Sequence, residues 1–175
     1  MKTNKNSIIK SLSQKEVEII AWLEFYQKYF FKIDDVTHLF KNKKQRYNII
    51  QRLIHKKRIV KLNKEKYYLV PIKAKSGKWT EDPFIIIDEI MDGKDYFISG
   101  WGAANFWRIT DQIPFRYDVY TTRRQGKYKI LGVEISFHRT TKNNIKKKVI
   151  IKKIKMHEFK IINKNESKKW MKLRE

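Results

Sequence analysis

The sequence predicts an α+β protein of two small domains. Its 175 residues, 41% of them hydrophobic and 14% aromatic, are enough to form two cores. Twice along the chain, apolar residues at helical spacing give way to segments in which polar and apolar residues alternate. Pro71 ends the first such stretch, and the polar segment 73–78 is typical of a linker. We therefore expect a first domain over residues 1–72 and a second over residues 79–175.

Three helices are predicted in the first domain. Ser13 and Glu16 form a capping-box pattern ahead of the first helix. Its apolar residues at helical spacing are Val17, Ile20, Ala21 or Leu23, and Phe25 or Tyr26. Asp34 can cap a short helix over residues 35–40, and after a polar connection a third helix should cover residues 43–57.

The helix over residues 43–57 has two different faces, because successive residues lie about 100° apart around a helix axis. The side that should pack in the core holds Tyr47, Ile50, Leu53 and Ile54. The opposite side, which should face a ligand, holds Gln45, Asn48 and Arg52, flanked by Lys44 and His55.

A β-hairpin is predicted directly after this helix. Segments 58–62 and 66–70 alternate with period two, and the polar turn Asn63-Lys64-Glu65 separates them. Two short helices followed by a hairpin are the back half of a winged helix-turn-helix. The first domain is therefore predicted to be a winged helix, and double-stranded DNA is the first partner to consider.

Basic residues are concentrated in this segment. Residues 41–66 contain 11 Lys or Arg and one acid, Glu65, in a chain whose net charge is +23. Phosphates neutralise such charge, and amide and guanidinium groups suit base edges. Base contacts are predicted for Gln45, Asn48 and Arg52. Phosphate contacts are predicted for Lys43, Lys44, Arg46, Lys56, Lys61, Lys64 and Lys66.

The composition argues against several other classes of protein. Without cysteine, the chain has neither disulfides nor thiolate metal sites. The histidines at positions 38, 55, 138 and 157 lack ligand-like spacing, so no metal and no cofactor are expected. No apolar run approaches the ~20 residues of a membrane span, and the N-terminus lacks the apolar core of a signal peptide. These features predict a soluble cytoplasmic protein.

The second domain is predicted to contain two helices followed by an antiparallel sheet. Asp82 and Pro83 are a typical helix cap and first helical position. After an extended segment over 96–98, Ser99 can cap a helix of small residues over 100–107, whose aromatic residues should lie in the core. Strands are predicted over residues 115–122, 129–131, 133–139, 149–154 and 158–162. The tail over 165–175 is expected to be a short helix or disordered.

Five segments follow one another in an order and spacing found in a known family. They are KRIVKLNKEKYYLVP (57–71), DPFIIIDEI (82–90), YFISGWGAANFWRITDQIP (96–114), VYTTRR (119–124) and LGVEISFHR (131–139). In these segments the chain resembles the AbiEi family, the antitoxins and autoregulators of abortive-infection toxin–antitoxin operons. It departs from the family pattern after the strands, where a Lys-rich stretch replaces an acidic helix start.

The resemblance implies a transcriptional autorepressor whose winged helix binds inverted repeats in its own promoter. It also implies a C-terminal domain that counteracts a nucleotidyltransferase-like toxin as a type IV antitoxin, which need not form a stable complex with the toxin. The family contributes no catalytic residues, so no enzymatic activity is expected. Neither the residues nor the resemblance determines the oligomeric state.

Two other functions stay open from the residues alone. One is a non-enzymatic RNA- or protein-binding module in which the winged unit is only a scaffold. The other is a metal-dependent nuclease, because Asp118 followed by Glu134-x-Ser136 is similar to the Asp…Glu-x-Lys arrangement that holds Mg²⁺. Ser136 replaces the catalytic lysine, however, and both acids also fit outward positions on strands.

The loop with Arg123 and Arg124 is a basic segment between two predicted strands. It can contact phosphate or an acidic protein, or be merely solvated.

Overall fold

The computed structural model describes residues 12–72, 81–155 and 157–174, so the predicted linker over 73–78 lies outside the described residues. The described part of the chain is a mixed α+β structure with six α-helices, one 3₁₀ helix and two sheets, which confirms the predicted class. The chain divides into two compact units, Met1–Trp79 and Thr80–Glu175.

The first unit is built from three helices and a three-stranded sheet. Its elements are α1 (Gln14–Phe25), β1 (Phe30–Lys32), a 3₁₀ helix (Ile33–Leu39), α2 (Lys43–His55), β2 (Ile59–Lys61) and β3 (Lys66–Leu69). The sheet is antiparallel with strand order β1-β3-β2. The core between the helices and the sheet includes Ile20, Leu23, Leu53 and Leu69.

The start of α1 agrees with the sequence, whereas the segment after it does not. Ser13 and Glu16 make both bonds of the predicted capping box. Strand β1 was not predicted, because its aromatic residues continue the apolar pattern of α1. The proposed cap Asp34 is wrong: Asp35 instead accepts a hydrogen bond from the Lys32 N–H at 2.7 Å, so the 3₁₀ helix starts at Ile33.

The buried side of α2 is rotated relative to the prediction. Ile50 and Leu53 are buried as expected, but Tyr47 is 65% exposed and Ile49 is buried in its place. Ile49 lies about 160° from Tyr47 around the helix. The prediction that Tyr47 lies in the core is therefore wrong. The spacing of apolar residues fits both sides of α2, and the contacts of α2 with the rest of the unit decide that the side with Ile49 is buried.

The second unit combines four helices with a six-stranded sheet. Its elements are α3 (Pro83–Met91), β4 (Tyr96–Ser99), α4 (Gly100–Phe106), β5 (Arg116–Thr121), β6 (Gly126–Ile130), β7 (Val133–Arg139), α5 (Lys142–Lys148), β8 (Val149–Ile154), β9 (His157–Ile162) and α6 (Lys164–Lys172). The strand order is β6-β7-β5-β4-β9-β8.

The predicted antiparallel sheet is wrong, because the observed sheet is mixed. Strand β5 pairs with β7 in parallel, and β4 pairs with β9 in parallel. Strand β6 pairs antiparallel with β7 on the side away from β5. The chain therefore changes direction after β5 and again after β6, which makes β7 parallel to β5. Alternation of polar and apolar residues predicts a strand but not the direction of its neighbours. Helix α5 was not predicted, and the tail forms α6.

Helices α3 and α4 cover one face of this sheet. Asp82 accepts a hydrogen bond from the Phe84 N–H at 2.9 Å, which confirms the predicted cap. The rings of Phe84 and Tyr117, on α3 and β5, have centroids 5.6 Å apart. Phe106 of α4 packs against Phe84 and Phe159, with centroids at 5.4 and 5.3 Å. Phe106 therefore contributes to packing, but Trp101, Phe106 and Trp107 are only half-buried, so their predicted place in the core is confirmed only in part.

Gly102 allows α4 to approach the sheet closely. A Cβ atom at this position would lie 2.7 Å from Cδ1 of Tyr117, inside the optimal carbon–carbon separation. Replacing Gly by Ala inside a helix usually stabilises it by about 1 kcal/mol. We expect Gly102→Ala instead to lower the free energy of unfolding by about 1–3 kcal/mol through overpacking, as measured by urea denaturation.

The double variant Gly102→Ala/Tyr117→Leu is the control for this explanation. Leu removes the aromatic ring that the new methyl group would meet. The two changes together should then destabilise by less than the sum of the single changes. Additive effects would contradict a clash as the cause.

Candidate nucleic-acid interface

Local hydrogen bonds define the start of α2. The Asn42 side chain accepts from the Gln45 N–H at 2.9 Å, and Oε1 of Gln45 accepts from the Lys41 N–H at 2.7 Å. Gln45 is therefore part of the cap, and its side-chain NH₂ group is the part suited to a base edge. Lys43 and Lys44, in the first turn, are exposed.

Asn48 and Arg52 lie further along the same face of α2, and both are exposed. Nε of Arg52 is 3.7 Å from Oε1 of Glu16 on α1, while 56% of the Arg52 side chain stays exposed. The amide and the guanidinium are one helical turn apart on a solvent-facing surface, an arrangement that can donate to the edges of neighbouring bases.

Glu16 of α1 forms ion pairs with two basic residues near the end of α2, Arg52 and Lys56. Its side chain is fully buried, and Oε2 accepts a hydrogen bond from Nζ of Lys56 at 2.7 Å. Burial raises the pKa of this carboxyl group, but the hydrogen bonds from Lys56 and Ser13 outweigh burial and lower the pKa below its ordinary value. The sequence predicted Glu16 only as part of the capping box. Its second role had no signal in the sequence, because Lys56 lies 40 residues further along the chain.

Two of the predicted phosphate-binding residues donate hydrogen bonds to side chains of their own unit. Lys56 is the partner of Glu16, and Arg46 donates from Nη1 to the Thr37 hydroxyl at 2.8 Å. The Arg46 bond ties α2 to the 3₁₀ helix. Both side chains therefore help to orient α2.

The β2–β3 hairpin presents the remaining predicted residues. Oδ1 of Asn63 accepts from the N–H groups of Glu65 and Lys66 at 2.9 and 2.8 Å, which defines the turn. Lys64 is exposed at the tip, and the exposed Lys61 has its ammonium 5.9 Å from the Tyr67 ring centroid. Lys66 is half-buried.

The acids proposed for a nuclease are engaged with basic partners in the second unit. Oδ1 of the buried Asp118 is 2.9 Å from Nε2 of His138. Glu134 accepts from Nζ of Lys129 at 2.8 Å, and in the register of the parallel pair it lies opposite Arg116 rather than Asp118. Across residues 12–72, 81–155 and 157–174, no group of three or more His, Asp or Glu is placed to hold a metal ion.

The arginines of the β5–β6 loop contact their own unit. Nη1 of Arg123 donates to the Met91 carbonyl at 2.9 Å, and its Nε lies 3.5 Å from Asp95. The Arg124 guanidinium lies 4.2 Å from the Phe137 ring centroid. Both side chains thus have packing roles, although Arg123 stays exposed.

The chain was compared with protein-family models and with curated proteins. No protein-family model matches the chain, and no curated protein matches it. None of the helices that the structure describes is long and apolar enough to cross a membrane.

Proposed function

We propose that this protein is a cytoplasmic DNA-binding repressor of its own operon that also acts as an antitoxin. The unit Met1–Trp79 would be a winged helix, with α2 as the recognition helix and the β2–β3 hairpin as the wing. Its element order, with β1 completing a sheet of order β1-β3-β2, supports this assignment.

The observation that carries the proposal is the exposed face of α2. It presents Asn48 and Arg52 beside Lys44, which combines side chains for base edges with positive charge for the backbone. Lys43 and the hairpin residues Lys61 and Lys64 would contact phosphates on either side. Lys56 and Arg46 would act indirectly, because their side chains orient α2 within the unit.

The antitoxin role rests on the resemblance to the AbiEi family. Four of the five segments that carry it belong to the unit Thr80–Glu175, in α3, β4 with α4, β5 and β7. The partner would be a nucleotidyltransferase-like toxin encoded next to this gene. Co-expression of the two genes tests this part: growth restored by this chain supports it, and unchanged toxicity contradicts it.

A binding titration tests the repressor. The full chain is titrated with the DNA upstream of its own gene and with shuffled DNA of equal length, at two salt concentrations. We expect a preference of ~10³ or more for the upstream DNA, as is usual for specific sites. Equal and steeply salt-dependent binding to both would show that the net charge of +23 acts alone, and would favour the RNA- or protein-binding module.

The nuclease alternative has a direct test of its own. Incubation of plasmid DNA with the protein and Mg²⁺ or Mn²⁺ would reveal cleavage. Cleavage that Glu134→Ala abolishes would favour the nuclease over the repressor. The ion pair between Glu134 and Lys129 leads us to expect none.

A further inference from the structure

The unit Thr80–Glu175 contains a cleft between its sheet and its last two helices. The cleft has a volume of about 370 Å³ and is lined by side chains of β4, β5, α5, β9 and α6, together with Thr140 and Leu173. This volume falls within the roughly 300–1,000 Å³ of typical small-molecule sites. The residues proposed to contact DNA belong to the other unit, so the cleft is a separate feature.

Aromatic rings form one part of the lining. Phe97 and Tyr120 are directly opposite each other in the β4–β5 pair, with ring centroids 5.2 Å apart and planes inclined by 8°. Trp170 contributes an indole ring from α6. Because Tyr120 also stacks on His138, with ring centroids 4.9 Å apart, a planar aromatic group in a ligand would meet the edges of the two sheet rings and the indole of Trp170.

Two lysines border the same cleft. Nζ of Lys148 and Nζ of Lys169 lie 3.3 and 3.0 Å from the carboxylate of Glu166. One acid is shared by two cations, so the group has a net positive charge. The Arg174 guanidinium, 3.9 Å from the Trp170 ring centroid, adds positive charge nearby. This distribution favours an anion such as phosphate.

The wall of the cleft also holds a polar side chain, that of Ser99. Ser99 is 3% exposed and lines the cleft. It stands at the N-cap position of α4, yet its side chain makes no capping bond, and no other hydrogen bond to its hydroxyl is found in the described part of the chain. A hydroxyl group in the lining can donate a hydrogen bond to a polar atom of a ligand or accept one from it.

We propose that this cleft binds a mononucleotide, with the base against the aromatic rings and the phosphate beside Lys148 and Lys169. A base, an anion and a sugar with hydroxyl groups match the three kinds of lining. The nucleotide is either free or the 5′ end of a single-stranded RNA, since both carry the same chemistry. This inference is independent of the repressor and antitoxin roles.

Isothermal titration calorimetry of the full chain with AMP, GMP, CMP and UMP tests the proposal. The corresponding nucleosides, ribose 5-phosphate and inorganic phosphate are the controls, because each carries only part of the ligand. The best mononucleotide should bind at least about tenfold more tightly than any of these parts. Binding no tighter than that of inorganic phosphate would overturn the proposal.

Two lysine variants on α6 form a matched pair. Lys169 and Lys168 are both exposed, but Lys169 lines the cleft and Lys168 does not. Lys169→Ala should weaken mononucleotide binding by about fivefold, as expected for an exposed charge, and Lys168→Ala should change it by less than about twofold. Equal losses would assign binding to the overall charge and overturn the proposal. Circular dichroism and thermal unfolding check that both variants fold.

A tryptophan variant separates the two halves of the ligand. Trp170→Leu should weaken binding of the mononucleotide but leave that of ribose 5-phosphate unchanged, because only the base contacts the ring. Equal weakening of both would contradict a role in base stacking.

A 5′-phosphorylated RNA tetranucleotide, titrated in parallel, distinguishes a free nucleotide from an RNA 5′ end as the ligand. If the RNA tetranucleotide binds more tightly than the free nucleotide, and Lys169→Ala abolishes this difference, the ligand of the cleft is an RNA end. If the tetranucleotide binds equally or more weakly, the ligand is the free nucleotide.

Discussion

Asn48→Ala is expected, if the proposed repressor role holds, to reduce the preference for the upstream DNA over random DNA by about 5- to 150-fold. The amide of an asparagine pairs with two atoms of an adenine, and such a contact contributes about 1–3 kcal/mol of discrimination. Asn48 is exposed on the outward face of α2, so its loss should leave the fold intact. Fluorescence anisotropy with operator and shuffled duplexes at one salt concentration measures the change.

Lys64→Ala is the matched comparison on the hairpin. A phosphate contact carries no sequence information, so both duplexes should bind more weakly by the same factor. The dependence of log K on log salt should become shallower by about one unit. If Asn48→Ala and Lys64→Ala reduced specificity equally, the division into base and phosphate contacts would be wrong.

Glu16→Ala is expected to destabilise the first unit by about 3–5 kcal/mol, the usual effect of removing one partner from a buried ion pair. Glu16 is fully buried, and 17% of the Lys56 side chain is exposed, so the change leaves Lys56 mostly buried without its carboxylate. It also removes half of the capping box of α1. Urea denaturation monitored by far-UV circular dichroism gives the change in free energy.

Glu18→Ala is the control on the same helix. Glu18 is 51% exposed and pairs with Lys15 three residues earlier at 2.7 Å. Exposed pairs of this kind contribute about 0–1 kcal/mol, so the variant should stay close to the wild type. Similar losses in both variants would show that the location of Glu16 has no special importance.

The pH dependence of stability gives a second readout for Glu16. Its pKa in the folded state is lowered from the ordinary value of 4.5. A lowered carboxyl pKa stabilises the fold above the unfolded-state pKa, and this stabilisation is lost as the pH falls through the folded-state value. The difference in stability between the wild type and Glu16→Gln should therefore be full near neutral pH and shrink below about pH 4.5. A difference that stays constant down to pH 3 would contradict this.

The sequence predicted the features that depend on a few neighbouring residues. Ser13 with Glu16 and Asp82 with Pro83 mark the starts of α1 and α3, because a cap forms between residues two or three positions apart. The hairpin after α2 also agrees, since Asn63 defines its turn locally. The predicted helix over residues 35–40 is a 3₁₀ helix shifted towards the N-terminus.

For the candidate interface, the sequence identified the side of α2 that carries Asn48 and Arg52 but not the partners of its basic residues. Lys56 and Arg46 were assigned to phosphates because charge alone does not distinguish a solvated cation from a paired one. Their partners, Glu16 and Thr37, lie 40 and nine residues away along the chain. The cleft near Ser99 had no sequence signal, since its lining comes from five separate helices and strands.

The sequence by itself determined where most elements begin, where positive charge is concentrated, and that the protein is α+β. Only the tertiary structure decided that Ile49 rather than Tyr47 is buried, that β5 and β7 run in parallel, and that a buried Glu16 joins α1 to α2. The physical reason is the range of the interactions. Caps and turns are complete within a few residues, whereas burial, strand direction and ion pairing depend on which distant segments meet.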